Sequence, residues 1–314
     1  MQRGGLREMG KVVVLGSLNM DVSLEVDRMP VQGETIEGKE LILNPGGKGA
    51  NQAVASANMG SETVMIGSVG DDYFGAELLE SLEDAGVGTA FIKKSKGTST
   101  GAAVVIRSAG DNRIIVNHGA NHVLDFTEVS ETLSATALSG DILLTQLECS
   151  PHIVWKAIKQ AHEQGMFIIL NPSPIQKIPP EIYPLLDVLC LNESECAAIT
   201  GLEQNEATNN EESLKMLANQ GVKSIVLTLG SHGSIAHKDG SYIRVPAAKV
   251  YLVDSTGAGD TFVGTLAALL AQGESFKEVL DVSSQAAALT TTRIGAQCSI
   301  PTLRDVQKAF GRRN

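Results

Sequence analysis

The chain has 314 residues, 43% of them hydrophobic and 19% charged, and carries a formal net charge of −11. This length is ample for a large buried core, and the composition is ordinary for a soluble globular protein. The acidic balance argues against a nucleic-acid partner, which needs a basic face, and apolar runs such as 11–16 and 264–273 are far too short to span a bilayer.

In chain order, Arg3 and Arg7 are followed by no apolar signal core, and Met9 offers an alternative start after a disordered leader. A strand is predicted over Lys11–Gly16. Asp21–Val26 and Ile36–Leu43 then read as short strands without helices. A helix over Gly49–Asn58, a strand over Thr63–Gly67 and a helix over Ala76–Ala85 come next. Ala102–Arg107 and Arg113–Asn117 form a second helix-free pair. From there strands at Asp141–Thr145, Phe167–Leu170, Val188–Leu191 and Ser224–Thr228 alternate with helices at Pro151–Gln164, Ser194–Ile199 and Glu211–Gln220. The Asn/Glu-rich stretch Glu203–Glu212 reads as a solvated loop. Ala258–Arg293 reads as two packed helices, and Pro301-Thr302 starts a terminal one over Leu303–Phe310.

The alternation predicts an α/β fold with a mainly parallel sheet covered by helices. The helix-free regions, about 21–43 and 98–117, predict a small β-sheet beside it, a lid over the carboxyl ends of the parallel strands. Its edges and apolar face suit a homodimer. Four cysteines (Cys149, Cys190, Cys196, Cys298) form no CxxC pair, and no histidine stands close enough to Cys190 and Cys196 to complete a zinc-like set, so they read as buried thiols of a reducing cytoplasm. No metal cage built from side chains is visible.

The most informative run is VDSTGAGDTF, Val253 to Phe262. Gly257 and Gly259 let the backbone curl and aim several amides at one point, and the apolar spacing beyond Asp260 puts the turn at a helix N-terminus. Such an end seats a phosphate, and a carboxylate there can take a proton from an attacking hydroxyl. The same residues also read as a tight strand-to-helix turn with Asp260 as a dipole partner. Neither GxxxxGK[ST] nor a GxGxxG after the first strand is present, which disfavours a P-loop or a dehydrogenase.

Gly16–Asp21 follows the first strand, where Asn19 and Asp21 are spaced to grip neighbouring sugar hydroxyls, or simply make a polar turn. In Asn44–Asn51 paired glycines permit close approach of a ligand, with Lys48 and Asn51 as polar contacts; a glycine turn before a buried helix fits the pattern almost as well. Gln146-Leu-Glu148, Asn171–Pro174, Asn192–Glu195 and Thr228–Gly230 each put polar groups at a strand's carboxyl end. Helix capping does not account for all of them. Glu195 is the residue best suited to hold Mg²⁺ through water, its alternative being an exposed first-turn acid.

Together these residues resemble the ribokinase family of carbohydrate kinases, also named PfkB, from Val12 to about Pro301. The two most specific signatures are NPGGKGANQAVASANMG (Asn44–Gly60) and DSTGAGDTF (Asp254–Phe262); Gly119-Ala-Asn121, NPSP, NESE and Gly295-Ala-Gln also follow the pattern. The resemblance implies one catalytic domain over 1–314, a ribokinase-like three-layer sandwich with a small β lid. It implies ATP-dependent conversion of D-ribose to D-ribose 5-phosphate. Asn19, Asp21, Gly47, Lys48, Asn51 and Glu148 would bind ribose, and Asp260 would be general base on its 5-hydroxyl.

By the same resemblance, the amides of Gly257, Ala258 and Gly259 would stabilise the transferring phosphoryl group. Asn192 and Glu195 would organise the nucleotide phosphates and Mg²⁺. Thr228, Gly230, Gly259 and Ser284 would line the nucleotide site, although Ser284 stands where a flatter Asn or His often meets the adenine. A K⁺ site would use Asp254, Thr256, Thr290, Arg293, Gly295 and Ser299, partly through backbone carbonyls, with Cys298 beside it and given no role. The readings that compete are a related kinase acting on another sugar or a nucleoside, and a sugar-binding regulator without turnover.

Overall fold

Alternating β-branched and leucine side chains along short strands build this molecule's core. The structure, a computed structural model, describes residues 10–108, 111–202 and 207–311. Nine strands form one sheet: β1 (Val12–Leu15), β4 (Thr63–Gly70), β5 (Gly88–Ser95), β8 (Ile142–Thr145), β9 (Phe167–Leu170), β10 (Val188–Asn192), β11 (Ser224–Thr228), β12 (Ser234–Lys238) and β13 (Ser241–Val245). Their order is β13-β12-β11-β10-β9-β8-β1-β4-β5, parallel except for the antiparallel pairs β11–β12 and β12–β13. The remaining strands, β2 (Asn19–Val26), β3 (Gly38–Gly46), β6 (Gly101–Ser108) and β7 (Asp111–Asn117), form a second sheet ordered β3-β2-β6-β7.

Because side chains alternate across a strand, the large sheet feeds two apolar layers. Val12, Val14, Leu144, Ile169 and Val226 pack under α1 (Lys48–Asn58), α2 (Tyr73–Asp84), α7 (Ala258–Ala271), α8 (Phe276–Thr290) and α9 (Leu303–Phe310). Val13, Leu15, Leu143, Ile168 and Leu227 pack under α3 (Phe126–Thr136), α4 (Pro151–Glu163), α5 (Glu193–Thr200) and α6 (Ala207–Asn219). Helices therefore cover both faces, as the alternation predicts. Among the described residues no helix is long and apolar enough to cross a membrane.

Strand β1 pairs with β4 on one side and β8 on the other, so the chain order reverses there. In an open parallel sheet, the carboxyl ends beside such a reversal leave a crevice for ligands. The second sheet begins at this point, since β2 leaves β1 after only three residues, Gly16 to Leu18.

Three expectations need correction. Residues 207–212 of the supposed loop Glu203–Glu212 lie in α6, while 203–206, like the proposed leader before Met9, fall outside the described residues. Cys149, Cys190 and Cys196 are buried, but Cys298 is exposed, on a short turn where its Sγ meets the Ile294 carbonyl at 3.4 Å. The segments β5, α3, β12 and β13 were not anticipated. The hairpin β12–β13 carries a recognisable signal, Asp239-Gly240, both at positive φ (49° and 74°) in a two-residue turn.

The approach of α1 to the β1 loop leaves no room for a side chain at Gly49. A Cβ there would lie 2.5 Å from the Ser17 amide nitrogen and 2.6 Å from Gly16, all backbone atoms. Gly49→Ala is expected to destabilise by about 1–3 kcal/mol and to depress activity by tilting α1, checked by thermal melting alongside rate measurements.

Candidate active site

Polar groups from the ends of β9, β10 and β11 meet the N-termini of α1, α5 and α7 around one cavity of about 140 Å³. It is lined by Lys48 from α1, Asn171 and Ser173 after β9, Asn192 and Glu195 at the start of α5, Thr228 at the end of β11, and Gly257, Gly259 and Asp260 at the start of α7. Seven of the residues given a site role from the sequence thus share one cavity wall: Lys48, Asn192, Glu195, Thr228, Gly257, Gly259 and Asp260.

Helix α7 starts where Gly257 takes a left-handed conformation (φ 76°), which turns the chain into the helix. The Thr261 amide is the first to be satisfied within the helix, by the Gly257 carbonyl at 2.8 Å. The amides before it lie at the positive end of the helix dipole. That of Ala258 is shared with the Ser255 carbonyl at 3.3 Å. A Cβ at Gly259 would meet nothing within 4 Å. The cavity therefore continues up to the Gly259 backbone, leaving room for an anion against it.

Asp260 is buried, 9% exposed, and both its oxygens are held. Asn51 Nδ2 donates to Oδ2 at 2.9 Å, and Gln52 Nε2 donates to Oδ1 at 3.0 Å. Beside it lies a second polar group centred on Glu148. Its Oε2 accepts from Ser17 Oγ at 2.5 Å, the Lys48 amide at 3.2 Å and Asn19 Nδ2 at 3.3 Å. Asn121 Nδ2 in turn donates to Asn19 Oδ1 at 2.8 Å and fixes that amide. Gly47 is needed at this crossing: its φ is 92°, and a Cβ would lie 2.7 Å from the Asn19 amide nitrogen.

Asp21 projects from β2, and Gly46 makes space for it, since a Cβ there would sit 2.5 Å from Asp21 Oδ2. Burial, then the negative charges of Glu148 and Asp260, raise its pKa to about 7, only partly opposed by Lys48. For Lys48, burial acts against the ammonium form, but Asp260, Glu148, Glu195 and Asp21 together outweigh it and the net shift is upward. One buried cation thus stands among four carboxylates.

Asn192 and Glu195 form a reciprocal capping box: Asn192 Oδ1 accepts from the Glu195 amide at 2.8 Å, and Glu195 Oε2 from the Asn192 amide at 2.9 Å. Glu195 is buried rather than an exposed first-turn acid. Gly230 opens the turn after β11 at φ 50° but does not line the cavity. Ser284 lies on α8, buried, its hydroxyl donating to the Pro246 carbonyl at 3.4 Å and also away from the cavity wall.

The residues proposed for a monovalent ion cluster behind the α7 turn. Asp254 Oδ1 accepts from the Thr256 amide and hydroxyl at 3.0 and 2.6 Å, and Oδ2 from the Gly295 amide at 3.0 Å. Burial works to raise the Asp254 pKa, but these bonds outweigh it and hold the carboxyl below the usual range. Thr290 donates to the Thr261 hydroxyl and the Ala286 carbonyl, Ser299 donates to the Ala296 carbonyl, and Arg293 is exposed. Among the described residues no group of three or more His, Cys, Asp or Glu is placed to hold a metal.

Residues that sequence reasoning left without a role complete the site: Ser17, Asn121, Gln52, Gln146 and Asn171. The Asn51-Gln52 and Gln146-Glu148 pairs were legible as motifs, but which neighbour each amide serves depends on the register of α1 against β8.

A family model described as pfkB family carbohydrate kinase matches residues 9–303. The ribokinase of Schizosaccharomyces pombe is 36% identical over 310 residues, covering 95% of this chain and 97% of its own. The ribokinase of Mus musculus is 33% identical over 309 residues, covering 96% and 95%. Among solved structures, the Arabidopsis thaliana ribokinase complexed with ribose and ATP superposes with a TM-score of 0.88 at 32% identity, over 97% of this chain and 99% of that one. On its fold, its cavity and these matches, the chain belongs to the pfkB family of carbohydrate kinases.

Proposed function

We propose that this protein transfers the γ-phosphoryl group of ATP to the 5-hydroxyl of D-ribose. The observation that carries the reading is Asp260: a buried carboxylate, held by Asn51 and Gln52, in the first turn of a helix whose glycine-lined start faces the cavity. In this reading residues 1–314 form one catalytic unit, with the small sheet as its lid. Asn19, Asp21, Gly47, Lys48, Asn51 and Glu148 bind the sugar, and Asp260 takes the proton from the attacking hydroxyl. The amides at Gly257, Ala258 and Gly259 stabilise charge on the transferring group, Ala258 by giving up its contact with Ser255. Asn192, Glu195, Thr228, Gly230 and Ser284 serve the nucleotide.

The donor set suits magnesium: Glu195 and Asn192 offer the cavity oxygen ligands but no cage, as suits an ion that keeps much of its water shell. When bound it would neutralise phosphate charge. The hydroxyls of Thr290 and Ser299 are already committed to other acceptors. A potassium ion would therefore take backbone carbonyls of the 290–299 turn together with Asp254, bracing the α7 turn from behind. Turnover is expected to be higher in potassium than in sodium buffer; equal rates would remove this cation from the account.

A coupled ADP assay across pentoses, 2-deoxyribose, hexoses and nucleosides tests the substrate. Ribose should give the highest kcat/KM, and a nucleoside or hexose ranking first would replace it. We further propose a cytoplasmic homodimer formed through the lid. Register places Leu43, Val22, Val104 and Ile115 in one cross-strand row of the small sheet, and Leu43, Val104 and Ile115 are exposed. Leu43→Glu is expected to convert a dimer into a monomer in sedimentation.

A further inference from the structure

A chain of buried side-chain amides runs behind Asp260. Gln146 Nε2 donates to Gln52 Oε1 at 2.7 Å, and Gln52 Nε2 donates both to Asp260 Oδ1 at 3.0 Å and to Asn171 Oδ1 at 3.1 Å. Asn171 Nδ2 then donates to the Cys190 carbonyl at 3.0 Å. Gln52 is 0% exposed and Gln146 1% exposed.

The direction of this chain is set by a single charge. An ionised carboxylate only accepts, so the amide nitrogen of Gln52 must face Asp260 and its oxygen must face away. That oxygen needs a donor, which Gln146 provides. Gln146 Oε1 is then left buried and unpartnered, resting where a Cβ at Gly16 would come within 2.3 Å. An unpaired buried acceptor and three buried amides cost stability relative to an apolar core. The arrangement repays that cost at one place only, the Asp260 carboxylate.

We infer that Gln52 is a positioning residue for the phosphoryl-transfer step: oriented by Gln146 and Asn171, it anchors Oδ1 of Asp260 and keeps that carboxylate aimed. Gln52 is closed off from the cavity, whose lining it does not join, so it acts on the sugar only through Asp260. The inference rests on Asp260 being the base. It goes beyond that reading in assigning the base's geometry to a residue that touches no substrate.

The experiment compares Gln52→Met, Gln52→Glu and Asp260→Asn for kcat and KM, with sugar binding measured by calorimetry. A hydrogen bond to a charged group is worth about a ten- to hundredfold factor, so Gln52→Met should lower kcat by that much near neutrality. Its KM for sugar and for ATP should stay within about twofold, as expected when only a transition-state interaction is lost.

Gln52→Glu keeps the volume and the bond from Gln146 but sets a second carboxylate in place of the donor to Asp260, and should lower kcat at least as much. A lower melting temperature with unchanged kcat in both variants would overturn the inference. Near-normal turnover in Asp260→Asn would instead overturn the assignment of the base.

Discussion

Asp260→Asn is expected to lower kcat by about 10²–10⁴, the usual worth of a positioned general base, while ribose binding remains measurable. The proposed sugar pocket draws mostly on other elements, Asn19 and Asp21 on β2 and Glu148 after β8, which the substitution leaves in place. The loss should be steeper than removal of a proton acceptor alone. Asp260 accepts from two amide nitrogens, and an asparagine can accept from only one of them through its oxygen. Its own nitrogen then faces a donor, either Asn51 or Gln52, and one of those side chains must turn away. The check is a coupled ADP assay beside calorimetric ribose binding; turnover within about tenfold of the parent would refute Asp260 as base.

The sequence carried the large sheet well because its strands obey simple patterning. Val12–Leu15, Phe167–Leu170 and Ser224–Thr228 are short buried runs, and the helices between them show an apolar stripe. It failed where an element's stability comes from a neighbour rather than its own pattern. Strand β5, GTAFIKKS, pairs on one side only and carries two lysines, so it reads as a loop. Helix α3 is rich in Ser and Thr, and only Val129 and Leu133 reach the core, held in register by the Asp125 cap. Beyond 207 the Asn/Glu-rich segment is helical because Leu214 and Leu217 anchor it, not because its first turn favours helix.

At the site, the residues nearest the reaction were legible from motif and position. Those that orient them were not. Gln52 sits next to Asn51 in sequence, yet one amide reaches Oδ2 and the other Oδ1 of the same carboxylate, a division of labour fixed only by how α1 crosses α7. Likewise Asn121 meets Asn19 across a separation of 102 residues, through a turn with no periodic signal.

Asp21→Asn is expected to make the sugar-free protein more stable above neutrality and to weaken sugar binding at the same time. Burial and the charges of Glu148 and Asp260 lift the folded-state pKa of Asp21 to about 7. In the unfolded chain an aspartate titrates near pH ~4. Between these two values the folded state binds more protons than the unfolded one, so stability falls as pH rises through this window and stays lower above it. A difference of that size amounts to at most about 4 kcal/mol, with partial exposure and relaxation reducing it.

Asparagine cannot ionise. The variant should therefore melt several degrees higher than the parent at about pH 8 and show little of that gain at about pH 4, where Asp21 is protonated in the folded state and about half protonated in the unfolded one. Sugar hydroxyls donating to the carboxylate favour its charged form, so the parent's affinity for ribose should fall by up to about tenfold per pH unit below neutrality. The variant should lose that dependence and bind about ten- to a hundredfold more weakly at about pH 8. An unchanged melting temperature at the higher pH, or an unchanged pH dependence of binding, would contradict this account of Asp21.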